Sequence, residues 1–192
     1  MIPPVSMRPP SWRLPVARSI VALGLAAAVT AWHRPTIAWL ATAFAAYCIA
    51  DSIIFIAAAR RRSVTGLAPS ALFVRGLAGA AAALAMAALG RERPESLHAL
   101  IVGWAVLAGM FDMVSAWCAR RRLDGEAFLG LNGLVTSFLG VILSLLPPSA
   151  IAHTAELIGV YATMAGTLLL LLGARVAVST MPQRTVAVHR SA

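Results

Sequence analysis

Long apolar runs broken by short polar stops organise this chain. The runs cover about Arg13–Trp32, Thr36–Ala59, Leu67–Leu89, Leu97–Ala119, Phe128–Leu146 and Ile151–Val176. The stops carry helix breakers and charge: His33-Arg34-Pro35, Ser63–Gly66, Gly90–Ser96, Leu123–Gly125 and Pro147-Pro148-Ser149. A helix that crosses a bilayer needs about 20 mostly apolar residues, and proline soon after an apolar run stops a helix. A membrane barrel would instead show alternating segments of about ten residues. Only helices satisfy their own backbone within continuous runs of this kind. The pattern predicts an all-α transmembrane bundle of six helices.

The six runs are three copies of one unit. Arg18, Arg75 and Asn132 open the copies at a constant offset of 57 residues. The second and third openings share Gly-Leu, as Arg75-Gly76-Leu77 and Asn132-Gly133-Leu134. Two copies close on arginine triplets, Arg60 to Arg62 and Arg120 to Arg122, and the third near Arg175. Self-similarity at a fixed period marks a repeated structural unit. The expected organisation is three tandem hairpins, about 11–62, 67–122 and 128–176, in a membrane domain spanning 11–178. Proline-rich 1–10 and polar 179–192 are expected to be disordered.

Composition sharpens this picture. Apolar residues make up 60%, charged residues 12%, and the mean hydropathy is +0.83. A soluble domain is about 45–50% apolar and about 25% charged, so lipid is the expected partner of the excess. The net charge of +9 comes from arginines in short clusters at helix ends and not from a continuous basic face, which excludes nucleic acid as a partner. Such clusters set topology. Arg8, Arg13, Arg18, the two triplets, Arg175, Arg184 and Arg190 fall on one side, against Arg34, Arg91 and Arg93 on the other. Trp12 and Trp117 lie near the first side, Trp32 and Trp39 near the second, and Trp104 deeper. The layout of Arg8, Arg13 and Arg18 ahead of Ala27–Ala31 also matches a cleaved signal peptide, but cleavage would leave the first hairpin with one helix.

Asp51 and Asp112 interrupt apolar helices about 12–14 Å from the arginine-rich end, at 1.5 Å per residue. Arg75 enters the third helix from that end and reaches a similar depth. Ionisable groups in a bilayer face the bundle interior and pair, so Arg75 is expected to pair with Asp51 or Asp112, with Asn132 at the matching position of the third copy. Such carboxylates serve either as titratable groups or as a pair that fixes helix register. His33, His98 and His153 fall at the opposite helix ends, with Glu92, Glu95 and Glu156 close in sequence. They form either a pH-responsive outer face or ordinary interfacial polarity. Gly76 with Ala80, Gly79 with Ala83 and Gly133 with Ser137 have the four-residue spacing of close helix approach, and Gly109, Gly140 and Gly166 are read the same way. Cys48 and Cys118 lie inside apolar runs as small hydrophobes. No ligand spacing suggests a metal or a haem, and neither a phosphate loop nor a hydrolase motif is present. No cofactor or enzymatic activity is expected.

The ordered motifs resemble the HdeD-like acid-resistance membrane protein family. Arg75-Gly76-Leu77 looks like that family's arginine-glycine helix opening. Tyr47 with Asp51-Ser52 resembles its tyrosine-to-Asp-Gly stretch, with serine replacing glycine. Ala108-Gly109-Met110-Phe111-Asp112-Met113-Val114 resembles its Ala-Gly-Ile-Phe-Glu-Ile-Val run. Asn132-Gly133-Leu134, Leu139-Gly140, Pro147, Tyr161 and Gly166 resemble its third repeat. The resemblance covers about Arg18 to Arg175. It implies a six-helix bacterial inner-membrane protein linked to acid stress. The alternatives are a small proton-linked transporter or channel using Asp51 and Asp112, and a structural subunit of a membrane complex. A second copy or a membrane partner protein is the expected company.

The arginine asymmetry predicts cytoplasmic termini. Reporter fusions at Gly66, Gly125 and the C-terminus should read cytoplasmic, and one at Arg93 periplasmic. A periplasmic C-terminus would exclude the six-span topology.

Overall fold

The computed structural model describes residues 12–32, 35–60, 69–90, 92–119 and 126–189. These form six helices: α1 (Arg13–Ala31), α2 (Ile37–Arg60), α3 (Pro69–Leu89), α4 (Pro94–Ala119), α5 (Glu126–Ser144) and α6 (Ile151–His189). Each contains a stretch long and apolar enough to span a bilayer. The chain is a multi-pass, all-α membrane protein.

Local chemistry sets the helix ends. Thr36 Oγ1 accepts the Trp39 N–H at 3.2 Å and caps α2. Helix α4 starts three positions earlier than its apolar run, because Pro94 tolerates the first turn and Glu95 complements the dipole there. Against the expectation of a stop near Val176 and an unstructured 179–192, α6 continues to His189. The segment expected to be disordered at 1–10 lies outside the described residues.

The three hairpin turns lie at one end of the bundle, the turn end. The opposite, terminal end is where α1 begins. Each helix packs on its sequence neighbours, and α6 returns to pack on α1, so the six close into a ring. The broadest contacts lie between hairpins: α2 on α3, α4 on α5, and α6 on α1.

The repeat is carried into three dimensions. The first residues of α2, α4 and α6 are 37, 94 and 151, spaced 57 apart. Residues at that spacing on these helices are buried together. From the turn end inward the layers are Leu40, Leu97 and Thr154, then Phe44, Ile101 and Ile158, then Tyr47, Trp104 and Tyr161. Below them come Asp51 with Ala108 and Ala165, then Phe55, Asp112 and Leu169. Large apolar side chains such as Ile53, Leu84, Leu107 and Leu145 point outward and are more than half exposed. The charged side chains Arg18, Asp51, Arg75 and Asp112 are buried. Polar inside and apolar outside is the arrangement lipid demands.

Small residues make the broad interfaces possible. A Cβ on Gly133 would lie 2.7 Å from both the Gly109 carbonyl oxygen and the Met113 nitrogen. On Gly76 it would meet Ile56 Cγ1 at 2.6 Å and the Ser52 carbonyl oxygen at 3.1 Å. On Gly166 it would meet Leu23 Cγ at 2.7 Å. Gly79 closes on Ser52 Oγ, Gly109 on Ser137 Oγ, and Gly140 on Val106 Cγ2. All six glycines expected to serve packing therefore sit at inter-hairpin contacts. By contrast, Gly24 and Gly103 have nothing within 4 Å of an added Cβ.

Gly133→Ala should lower stability by about 1–3 kcal/mol, since the clash is with backbone that cannot step aside. Gly24→Ala and Gly103→Ala should be neutral or gain up to about 1 kcal/mol from helix propensity. Thermal unfolding of the three variants in mild detergent checks the contrast.

Candidate functional site

The centre of the bundle holds a chain of alternating charges. At its middle is Arg18, five residues into α1. Its Nε donates to Asp51 Oδ1 at 3.0 Å. Its Nη1 and Nη2 donate to Asp112 Oδ1 and Oδ2 at 3.4 Å and 3.0 Å. Arg75 Nη2 donates to Asp51 Oδ2 at 3.2 Å. Asn132 Nδ2 donates to Asp112 Oδ2 at 2.7 Å. The order is thus Arg75, Asp51, Arg18, Asp112, Asn132, crossing α3, α2, α1, α4 and α5. All four carboxylate oxygens accept at least one N–H. The two arginines balance the two carboxylates.

The sixth helix joins through hydroxyls. Tyr161 Oη lies 3.4 Å from Thr136 Oγ1 and 3.5 Å from Tyr47 Oη. Thr136 Oγ1 donates to the Asn132 carbonyl at 2.7 Å. Aromatic faces line the guanidiniums. The Arg18 Cζ sits 4.7 Å from the Phe55 ring centroid, and Arg75 Cζ lies 5.0 Å from Phe55, 5.6 Å from Trp104 and 5.9 Å from Phe111. A desolvated cation gains from a ring quadrupole about as much as from a weak hydrogen bond. Near this centre Arg75 Nε, Trp104 Nε1 and Asn132 Oδ1 are buried with no partner among the described residues.

Arg75 pairs with Asp51, one of the two partners expected for it, and Asp112 is taken by Arg18 and Asn132. Arg18 itself escapes a reading of flanking charge, because an arginine near the start of the first apolar run looks like a topology signal. The signal that identifies it is the 57-residue offset: Arg18, Arg75 and Asn132 occupy one position in three copies. The two aspartates do not share a position. Asp51 matches Ala108 and Ala165, whereas Asp112 matches Phe55 and Leu169, one helical turn nearer the terminal end.

The other expected candidates are scattered. His98 is half-buried, and His153 and Glu156 are exposed. No hydrogen bond or ion pair joins these three among the described residues, and His33 lies outside them. Among the described residues no three His, Cys, Asp or Glu side chains are grouped to hold a metal ion. Cys48 is buried and Cys118 exposed, both free. No family model matches the chain, and no curated protein or solved structure matches it either.

Removing one member of the charge chain strands another in an apolar interior, which costs about 3–5 kcal/mol for a buried pair. Arg18→Ala should therefore be the most destabilising single change, since both carboxylates lose a partner. Arg75→Ala combined with Asp51→Asn should be milder than Arg75→Ala alone, because no excess charge remains. Detergent-induced unfolding of the purified variants measures the order, and equal stability of Arg18→Ala and wild type would refute it.

Proposed function

We propose that this chain is a non-enzymatic protein of the bacterial inner membrane, of the HdeD-like kind, that supports survival at low external pH. In this reading the charge chain is a structural lock, and the acid-related role belongs to surfaces offered to membrane partners. The observation that carries it is the saturation of Asp51 and Asp112: every carboxylate oxygen already accepts an arginine or asparagine N–H. A carboxylate that passes protons across a membrane has to exchange partners. One that fixes helix register does not. Sliding any of α1 to α5 by a turn would break at least one charge-assisted bond, so the lock suits a scaffold that stays rigid.

A second reading, a small proton-linked transporter, is favoured by the unpartnered Arg75 Nε, Trp104 Nε1 and Asn132 Oδ1. Buried polar atoms without partners are places where water can enter. The two readings separate in one pair of experiments. A deletion strain is complemented with wild type, Asp51→Asn or Asp112→Asn, and acid survival is scored beside membrane abundance. Purified protein in liposomes is tested for dissipation of a pH gradient. The scaffold reading expects no proton flux above empty liposomes, and survival that falls in step with abundance. A proton flux lost in Asp51→Asn at normal abundance would replace it with the transporter. Acid survival of the deletion strain equal to wild type would remove the acid-stress assignment.

A further inference from the structure

At the turn end a half-open pocket lies between the first turns of α2, α4 and α6, with about 10 Å³ of space for the centre of a small guest. Its rim is Ile37, Pro94 and Ile151, the first residues of the three helices, and its wall is Leu40, Leu97 and Thr154. Both trios are equivalent positions of the repeat. The three helices run parallel, so three N-termini converge on one point. Each carries about half a positive charge, and helix N-termini favour anions. The neighbouring helices α1, α3 and α5 end at the same end of the bundle, but their last residues, Ala31, Leu89 and Ser144, do not line the cavity. Among the described residues no carboxylate lines it either; Glu95 and Glu156 are exposed on α4 and α6.

A second observation is independent of the dipoles. Thr154 is 4% exposed, and its Oγ1 has no hydrogen-bond partner among the described residues. Threonines elsewhere in these helices bond back to the carbonyl four residues earlier: Thr136 to Asn132 at 2.7 Å, Thr163 to Gly159 at 2.9 Å and Thr167 to Thr163 at 2.8 Å. Thr154 does not, and its equivalents in the layer are leucines that offer no acceptor. A buried hydroxyl left unpaired is costly. Thr154 lines the cavity, and no acceptor for its hydroxyl is found among the described residues.

We propose that this cavity binds one monatomic monovalent anion, chloride in the cell. Thr154 Oγ1 donates the hydrogen bond, the three helix termini supply the field, and the apolar walls select a weakly hydrated ion. His98, half-buried, completes the wall on α4. Fully buried Phe44, Ile101 and Ile158 form the layer beneath. They separate the anion from the charge chain, so this is a binding site and not one end of a continuous polar path.

The test uses the full-length protein purified in detergent. Its thermal unfolding is compared in sodium chloride, bromide, fluoride and gluconate at equal ionic strength. A ligand that binds only the folded state raises Tm, and a rise of about 3 °C is expected in chloride or bromide over gluconate for a chain of this size. Fluoride should give less. Thr154→Val should lose the rise and Thr154→Ser should keep it. Crystals grown in bromide should show an anomalous peak within hydrogen-bonding reach of Thr154 Oγ1. That measurement needs no variant, so it decides the matter even if Thr154→Val fails to fold. Equal Tm in all four salts, a full halide response in Thr154→Val, or a cavity with a water and no anomalous signal would each overturn the proposal.

Discussion

Charge neutrality inside a bundle wrapped in lipid is the constraint on which this structure rests. A lone guanidinium or carboxylate at that depth costs several kcal/mol. Two of each, threaded as Arg75, Asp51, Arg18, Asp112 and Asn132, convert four liabilities into one electrically neutral chain. The geometry leaves little freedom elsewhere. Helices must approach closely enough for short aspartate side chains to meet arginines from neighbouring helices, which puts small residues at the interfaces. Gly79 shows the link: a Cβ there would crowd Ser52 Oγ and come within 3.4 Å of Arg75 Nη1. Packing and electrostatics are solved by the same residues.

The ring is symmetric in its frame and asymmetric in its filling. Three hairpins repeating at one 57-residue period set their inner helices at equivalent heights, and the aromatic layer of Tyr47, Trp104 and Tyr161 keeps its character in all three. The charges do not. The first hairpin contributes Arg18 and Asp51; the second contributes Arg75 and Asp112, with its aspartate one turn displaced. The third contributes only the amide of Asn132. That displacement lets Arg18 face both carboxylates at once, with its Nε to one and its two terminal nitrogens to the other. Strict threefold repetition would place three arginines at one level around a single axis, with no such division of labour.

Much of the fold was legible in the residues, and the reasons are physical. Apolar run length locates all six helices, because lipid forces continuous hydrophobicity on whatever crosses it. Helix ends such as Pro94 shift by a few residues, because first-turn chemistry is polar and invisible to an apolar count. Arg75, Asp51 and Asp112 stand out, since charge inside an apolar run has no cheap explanation. Arg18 did not, because depth in the bundle depends on where α1 starts, and a flanking arginine and a buried one differ by a single turn. Thr154 was illegible for another reason: a threonine in the first turn of a helix is unremarkable until its hydroxyl is seen to lack the bond its counterparts make.

The contact between α6 and α1 has a consequence for how the protein is made. One of the three broad interfaces joins α6 to α1, helices that lie five elements apart in the order of synthesis. Until α6 emerges, one flank of α1 has no protein neighbour and the ring stands open to lipid. During that interval Arg18 already sits in the membrane, and Asp51 is the first counter-charge that synthesis delivers. Asp112 arrives only with α4, and Asn132 with α5. The α1–α2 hairpin is therefore born electrically self-sufficient, with one cation and one anion in its core. Arg75 then emerges one helix before Asp112, so the nascent bundle again carries an extra positive charge until α4 is made.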